Sequence, residues 1–222
     1  QVSARAGLPM TTAHRLVGQL TQWEALVRRA DGTYVVGRRM WDIGLLAPIH
    51  AELREIASPY LHDLYAATLA TVHLAQRDGT RVLYLDRLSG HASVPVVSKV
   101  GDRLPMHATG VGKVLLAHAP AAVQAAVLRN LTRVTPYTIT QPGQLRAQLD
   151  HVLRDGYAWT AEEMSLGACS VAVPIFGADN TVIAALGIVV PSLKRERPRL
   201  VAALQVAAQV ISRSLADAAS RT

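Results

Sequence analysis

The stretch Ala4-Arg5-Ala6-Gly7-Leu8-Pro9-Met10-Thr11-Thr12-Ala13-His14-Arg15-Leu16-Val17-Gly18-Gln19-Leu20 reads as two short helices joined by a tight turn. Ala4 is small enough for a helix crossing, Gly7 supplies the positive φ of the turn, and Pro9 suits the first turn of the second helix. In that second helix Ala13, Leu16, Val17 and Leu20 fall at i, i+3, i+4 and i+7, an apolar stripe that faces a core. The opposite side carries Thr11, Thr12, Arg15, Gln19 and Gln22. Short hydroxyls at a helix N-terminus, with an arginine one turn on, suit phosphate and base-edge contact. Trp23 follows, and then Val27-Arg28-Arg29-Ala30-Asp31-Gly32-Thr33-Tyr34-Val35-Val36, in which two β-branched runs flank Asp-Gly, a strong hairpin signal. The hairpin is expected to be a wing, with Arg28 and Arg29 on one strand and Tyr34 on the other.

Charge is distributed in keeping with that reading. Up to Arg39 the basic residues are Arg5, Arg15, Arg28, Arg29, Arg38 and Arg39 against Glu24 and Asp31, more than half of the formal net charge of +7. A basic surface of this kind favours a polyanionic partner. Half of the 222 residues are hydrophobic, enough for one substantial core and a smaller second one. A single cysteine, Cys169, excludes an intramolecular disulfide and fits a reducing, cytoplasmic setting. The longest apolar run, Val182 to Val190, is cut by Pro191 and is too short to span a bilayer, and no signal peptide is visible. The chain opens without methionine, in mid-helix on this reading, and a complete winged module is expected to carry one more helix before Val2.

Downstream of the wing, Met40 to Leu46 reads as a connecting helix with more apolar surface than a free linker carries. Ser58-Pro59 is either an N-cap and first-turn pair or a kink, and Ala57, Leu61, Leu64, Tyr65 and Thr68 repeat at helical spacing. From Thr71 the period changes to two: Val72 to Gln76, Arg81 to Asp86 and Val94 to Val97 read as strands, with a hairpin at Asp78-Gly79. Helices are expected over Thr109 to Ala119, Pro120 to Leu131 and Gly143 to Arg154. Strands are expected over Tyr157 to Glu162, Ser170 to Phe176 and Thr181 to Val190. A helix from Pro198 to Ala219 closes the chain, with Leu200, Leu204, Ala207, Ile211 and Leu215 on one side. Strands joined by hairpins and bracketed by helices describe an α+β sensor-like domain.

Catalytic and metal-binding signatures fail on specific residues. Gly110-Val111-Gly112-Lys113 is no phosphate loop, since His107 and Val114 stand where a glycine and a hydroxyl are required, and Leu115 breaks a dinucleotide fingerprint. Gly167-Ala168-Cys169-Ser170-Val171 lacks the central serine and closing glycine of a nucleophile elbow. Glu162 and Glu163, adjacent on an expected strand, point to opposite faces and form no carboxylate pair. The eight histidines show no ligand spacing with one another or with Cys169. No cofactor is implied.

Taken together, these residues resemble the IclR-type transcriptional regulators nearly from end to end. The likeness runs from Ala4 to Leu16 through the wing and Gly37. It continues in Thr71-Val72-His73-Leu74, Val82-Leu83-Tyr84-Leu85-Asp86-Arg87, Gly101 to Lys113, Gly156-Tyr157 and Val171-Ala172-Val173-Pro174-Ile175-Phe176, and is most specific in Leu104 to Lys113. The resemblance implies a winged helix-turn-helix over residues 1–39, a linker helix over 40–52 and a GAF-like effector-binding domain over 53–222. It implies a homodimer that pairs further into a tetramer in some members, bound to double-stranded palindromic operator DNA and controlled by a small organic or aromatic acid. DNA is expected to meet Thr11, Thr12, His14, Arg15, Gln19, Arg28, Arg29 and Tyr34. The effector is expected to meet His107, Thr109, Gly110, Val111, Thr160, Glu162, Cys169 and Ser170. A physical reason stands beside the likeness: Gly110 and Gly112 open a helix whose unpaired N–H groups and positive dipole end hold a carboxylate, although the same glycines also suit close packing on a sheet. Two departures matter. Some members carry an acidic residue where Thr160 stands and a cysteine where Ser170 stands, so an effector other than the small keto acids is expected. The competing reading is a sensor that acts through protein contacts without DNA.

Overall fold

A computed structural model describes residues 2–46, 51–90, 93, 94 and 96–220. The chain divides into two compact units, Gln1–Ala51 and Glu52–Thr222. Pro48 and the expected linker positions 47–50 lie outside the described residues, as does Pro95.

The first unit holds α1 (Val2–Ala6), α2 (Met10–Gln22), the two-stranded antiparallel pair β1 (Leu26–Arg28) and β2 (Tyr34–Val36), and α3 (Arg38–Leu46). Gly7 takes φ +64° in the turn between α1 and α2, where the Ser3 hydroxyl donates to Leu8 O at 2.7 Å. Pro9 stands just outside α2 as its N-cap, one residue earlier than expected. The expected core stripe is only partly covered: Ala13 is buried, while Leu16 and Leu20 remain 36% and 39% exposed. The wing turn is also wider than two residues. Arg28 pairs with Tyr34, Gly32 takes φ +81°, and Asp31 accepts from the Thr33 amide and hydroxyl, which holds its carboxyl below the usual range. Gly37 is buried against the backbone at Glu24 and Ala25, where its amide donates to Ala25 O and no side chain fits.

In the second unit α4 (Ala51–Thr68) leads into a six-stranded antiparallel sheet. Its strands are β3 (Thr71–Asp78), β4 (Arg81–Leu88), β5 (Arg103–Pro105), β6 (Ala158–Ala161), β7 (Cys169–Phe176) and β8 (Val182–Val190), in the order β5-β4-β3-β8-β7-β6. The helices α5 (Gly110–Ala117), α6 (Ala121–Leu128) and α7 (Pro142–Asp155) lie between β5 and β6, and α8 (Arg197–Ala219) ends the chain. Strand alternation sends Val72, Leu74, Val171, Val173, Ile175, Leu186 and Ile188 to one face, against Leu53, Ala57, Leu61 and Leu64 of α4 and Leu200, Leu204 and Ile211 of α8. Each such side chain contributes about 1.5–3 kcal/mol by burial. The other face presents Ala75, Ala158, Ala172 and Ala185 to α5, α6 and α7. The α+β class expected from the strand and helix pattern is the class observed.

Two local expectations are corrected. Pro59 sits inside α4, so Ser58-Pro59 starts no helix. The described residues of the expected strand at Val94 to Val97 form none. Its place beside β4 is taken by β5, which pairs Arg103 with Leu83 and Pro105 with Arg81.

Candidate functional site

On α2 of the first unit, Thr11, His14, Arg15 and Gln19 are exposed and Thr12 is half-buried. Arg15 Nη1 donates to Gln19 Oε1 at 3.2 Å, so the two expected base readers hold each other on the outer side of the helix. Arg28, Arg29 and Tyr34 are exposed on the wing, and Arg5, Arg15, Arg28 and Arg29 form no ion pair among the described residues. A cationic side chain with no acidic neighbour remains available to an anion.

The second unit holds a cavity between the sheet and the start of α5. It exists because the sheet residues that face α5 are small or polar. A methyl added at Gly187 on β8 would come 2.8 Å from Val111 Cγ1, and one added at Gly110 would come 2.6 Å from Ser170 Oγ. Both glycines are therefore required for the approach of α5 to the sheet. Thr109 caps the helix, its Oγ1 accepting from Gly112 N at 3.2 Å while Lys113 N donates to Thr109 O. The amides of Gly110 and Val111 then have no acceptor within the helix, and they stand at its positive end. Next to them Thr160 Oγ1 and Ser170 Oγ, paired across β6 and β7, lie 2.6 Å apart.

At the β3 side of the cavity, His73 Nε2 and Ser98 Oγ share a hydrogen bond of 2.8 Å, and Arg87 Nη1 donates to Ser98 O at 2.8 Å. Burial, and secondarily the Arg87 charge, push the His73 imidazole down to about 3, so it is neutral. The Tyr84 ring meets His73 edge-to-face at 4.9 Å, and burial raises its hydroxyl well above the usual phenol range. Leu104, Val97 and Met164 supply apolar wall. No aspartate, glutamate, lysine or arginine is among the described lining residues.

Five of the eight expected effector residues, Thr109, Gly110, Val111, Thr160 and Ser170, line this cavity. Three do not. His107 lies in the 3-10 turn before α5 (Met106–Ala108), where its Nε2 meets Thr132 O at 2.9 Å and burial holds its proton affinity down. Cys169, the strand neighbour of Ser170, points to the opposite side, with Sγ 3.7 Å from Pro191 O. Glu162 ends β6 with φ +56° and spends its carboxylate on its own loop, accepting from Gly167 N at 2.8 Å. Neither glutamate lies on the expected strand: Glu163 is buried, with Oε1 2.6 Å from Lys113 Nζ, while Gln148 accepts a second hydrogen bond from that ammonium. Burial lowers the lysine pKa and raises that of the glutamate, against their mutual attraction. Sequence reasoning had not assigned His73, Tyr84, Ser98 or Gly187 to the site. A usable signal existed for two of them: His73 interrupts an apolar strand on alternate phase, and Gly187 interrupts the most apolar strand of the chain.

Residues 47–213 match the family model described as bacterial transcriptional regulator IclR C-terminal. The crystal structure of an IclR homologue from Microbacterium hydrocarbonoxydans complexed with 4-hydroxybenzoate is 36% identical, superposes with a TM-score of 0.90, and aligns over 96% of this chain and 88% of that one. The IclR of Thermotoga maritima is 29% identical with a TM-score of 0.80, over 97% of this chain and 89% of that one. The glycerol operon regulatory protein of Streptomyces coelicolor is 32% identical over 221 residues, 96% of this chain and 87% of that protein. A fold, a family match over most of the length and relatives named as regulators agree, and this chain belongs to the IclR family of bacterial transcriptional regulators.

Proposed function

We propose that this chain is a sequence-specific DNA-binding regulator whose operator affinity is controlled by a small organic acid bound in the cavity of the second unit. Residues 1–39 grip DNA as a winged helix-turn-helix, 40–52 link, and 53–222 bind the effector. The observation that carries this reading is the cavity itself. It joins two helix-terminal amides and a pair of hydroxyls, a cradle for one carboxylate, to walls with no charged side chain among the described residues. A ring-bearing carboxylate suits that combination, and the 4-hydroxybenzoate held by the Microbacterium relative supports the class. The protein acts as a cytoplasmic homodimer on a palindromic operator.

In this reading Arg15 and Gln19 contact base edges, His14 and Tyr34 lie at the margins, and Thr11, Thr12, Arg28 and Arg29 hold phosphates. Arg15→Ala is expected to cost about 1–3 kcal/mol and to relax sequence preference, whereas Arg29→Ala weakens all sites alike. Gel shifts on the chain's own upstream DNA at two salt concentrations test the assignment. Affinity that falls steeply with salt supports phosphate contacts. Absence of any shift favours a sensor that works through protein contacts, and a loss of affinity in both variants without any change in preference removes the base-reading role.

A further inference from the structure

Resting on the effector reading above, we infer that Glu163, which lines no part of the cavity, is a positioning residue for the effector site: its ion pair with Lys113 ties the loop between β6 and β7 to α5 and so sets the spacing between one wall of the cavity and its floor.

The loop over residues 162–168 brings Met164, Ser165 and Ala168 to the cavity. Its own hydrogen bonds close it on itself: Glu162 N donates to Ala168 O at 2.9 Å, Gly167 N to the Glu162 carboxylate at 2.8 Å, and Ala168 N to Ser165 O at 3.3 Å. These bonds fix the shape of the loop and leave its place relative to the helix open. Among the described residues, three buried side chains reach it from outside. Thr135 and Thr138 donate to the carbonyls of Glu162 and Glu163, each at 2.7 Å, and Lys113 Nζ donates to Glu163 Oε1 at 2.6 Å. Of the three, Lys113 alone belongs to the helix that forms the cavity floor.

Lys113 follows Gly110 by three residues, about 4.5 Å along the helix axis, and its amide donates to Thr109 O within the first turn. Floor and anchor therefore move as one rigid turn. On the other side of the ion pair, Met164 directly follows Glu163, and so flexible a side chain keeps a fixed place in the wall only where the backbone beside it is held. Stability does not account for the choice of charged groups. The Lys113 and Glu163 side chains are 1% and 6% exposed, and at such burial desolvation offsets the Coulomb attraction, so that an apolar pair of equal volume commonly holds a fold as well. A charged pair with a second acceptor at Gln148 differs from an apolar one in direction, being satisfied at one separation and one orientation.

The test compares the full chain with Glu163→Gln, whose amide oxygen still accepts from Lys113, and with Lys113→Met/Glu163→Gln, which has neither charge and no donor at 113. Three quantities are measured: stability in urea, amide hydrogen exchange over 164–168, and the calorimetric Kd for 4-hydroxybenzoate as the probe. In the double variant the loop amides are expected to exchange faster and the Kd to rise about tenfold, while Glu163→Gln stays within about threefold of wild type in both. Exchange in β7 and β8 is expected to stay unchanged, which separates loss of position from a general loosening. A double variant that binds as tightly as wild type, or a Glu163→Gln protein that loses as much as the double one, overturns the inference and leaves the carboxylate cradle standing. So does a double variant that fails to fold, because the pair is then needed for the fold itself. If the wild type does not bind the probe, the effector reading falls separately, and loop exchange decides on the tether: faster exchange in the double variant upholds it and equal exchange overturns it.

Discussion

The two faces of the six-stranded sheet are built by the same strands and hold opposite kinds of residue. Toward α4 and α8 stand Val72, Leu74, Val171, Val173, Ile175, Leu186 and Ile188, none more than 1% exposed. Toward α5 stand His73, Ala75, Ser170, Ala172, Ala185 and Gly187. Branched aliphatic side chains fill the first face to interior density, and small or hydroxyl-bearing ones leave the second with room for a helix terminus and a ligand. The difference teaches how one strand carries stability and recognition together: successive residues point to opposite sides, so a change at one position touches one role.

The largest expected effect breaks the α5 face from within. Lys113→Met leaves the Glu163 carboxylate buried without its counter-charge, and a loss of about 3–5 kcal/mol in urea unfolding is expected. Adding Glu163→Gln to that variant is expected to restore most of it, since both buried charges are then gone. A double variant as unstable as the single one contradicts the pairing.

On the packed face, Leu186→Ala is expected to cost about 2–5 kcal/mol through lost burial and the space left behind. Its effector affinity at 25 °C is expected to stay close to wild type, because Leu186 faces α4 and α8 and lines no part of the cavity. Loss of effector binding in a folded Leu186→Ala protein denies the separation of roles.

A smaller effect isolates His73. The folded protein keeps this imidazole neutral down to about pH 3, whereas the unfolded chain binds the proton near pH 6.5. Its contribution is complete above about pH 6.5 and is lost as pH falls through that window, by about 2 kcal/mol between pH 7 and pH 5. Urea midpoints at the two pH values are expected to differ less in His73→Gln than in the wild type. Equal differences show that His73 is not held neutral.

Much of this was legible before any coordinates, and the failures share a physical cause. Periodicity located α8, whose Leu200, Leu204, Ala207, Ile211 and Leu215 are all buried, and Gly7 and Asp31-Gly32 located the turns of the first unit. Five residues named from the family likeness, Thr109, Gly110, Val111, Thr160 and Ser170, line one cavity. Non-local pairing was not legible. The Lys113–Glu163 contact spans 50 residues and the His73–Ser98 contact 25, and neither leaves a trace in local spacing. β5 has three residues and is fixed by the backbone of β4, so its composition carried no signal against the more β-like run at Val94. Glu162 misled because the left-handed residue that ends β6 is a glutamate and not the glycine such a position favours.

The central claim is that a ligand in the α5 cavity changes the affinity of the chain for DNA. The direct measurement is fluorescence anisotropy of the full chain on its own upstream duplex at fixed salt, with and without saturating 4-hydroxybenzoate, in the wild type and in Gly110→Val. The expected result is a shift in DNA Kd of about 5- to 150-fold in the wild type and none in Gly110→Val, whose side chain fills the space beside Ser170. A wild-type Kd that does not move while calorimetry shows the acid bound, or an equal shift in Gly110→Val, contradicts the claim.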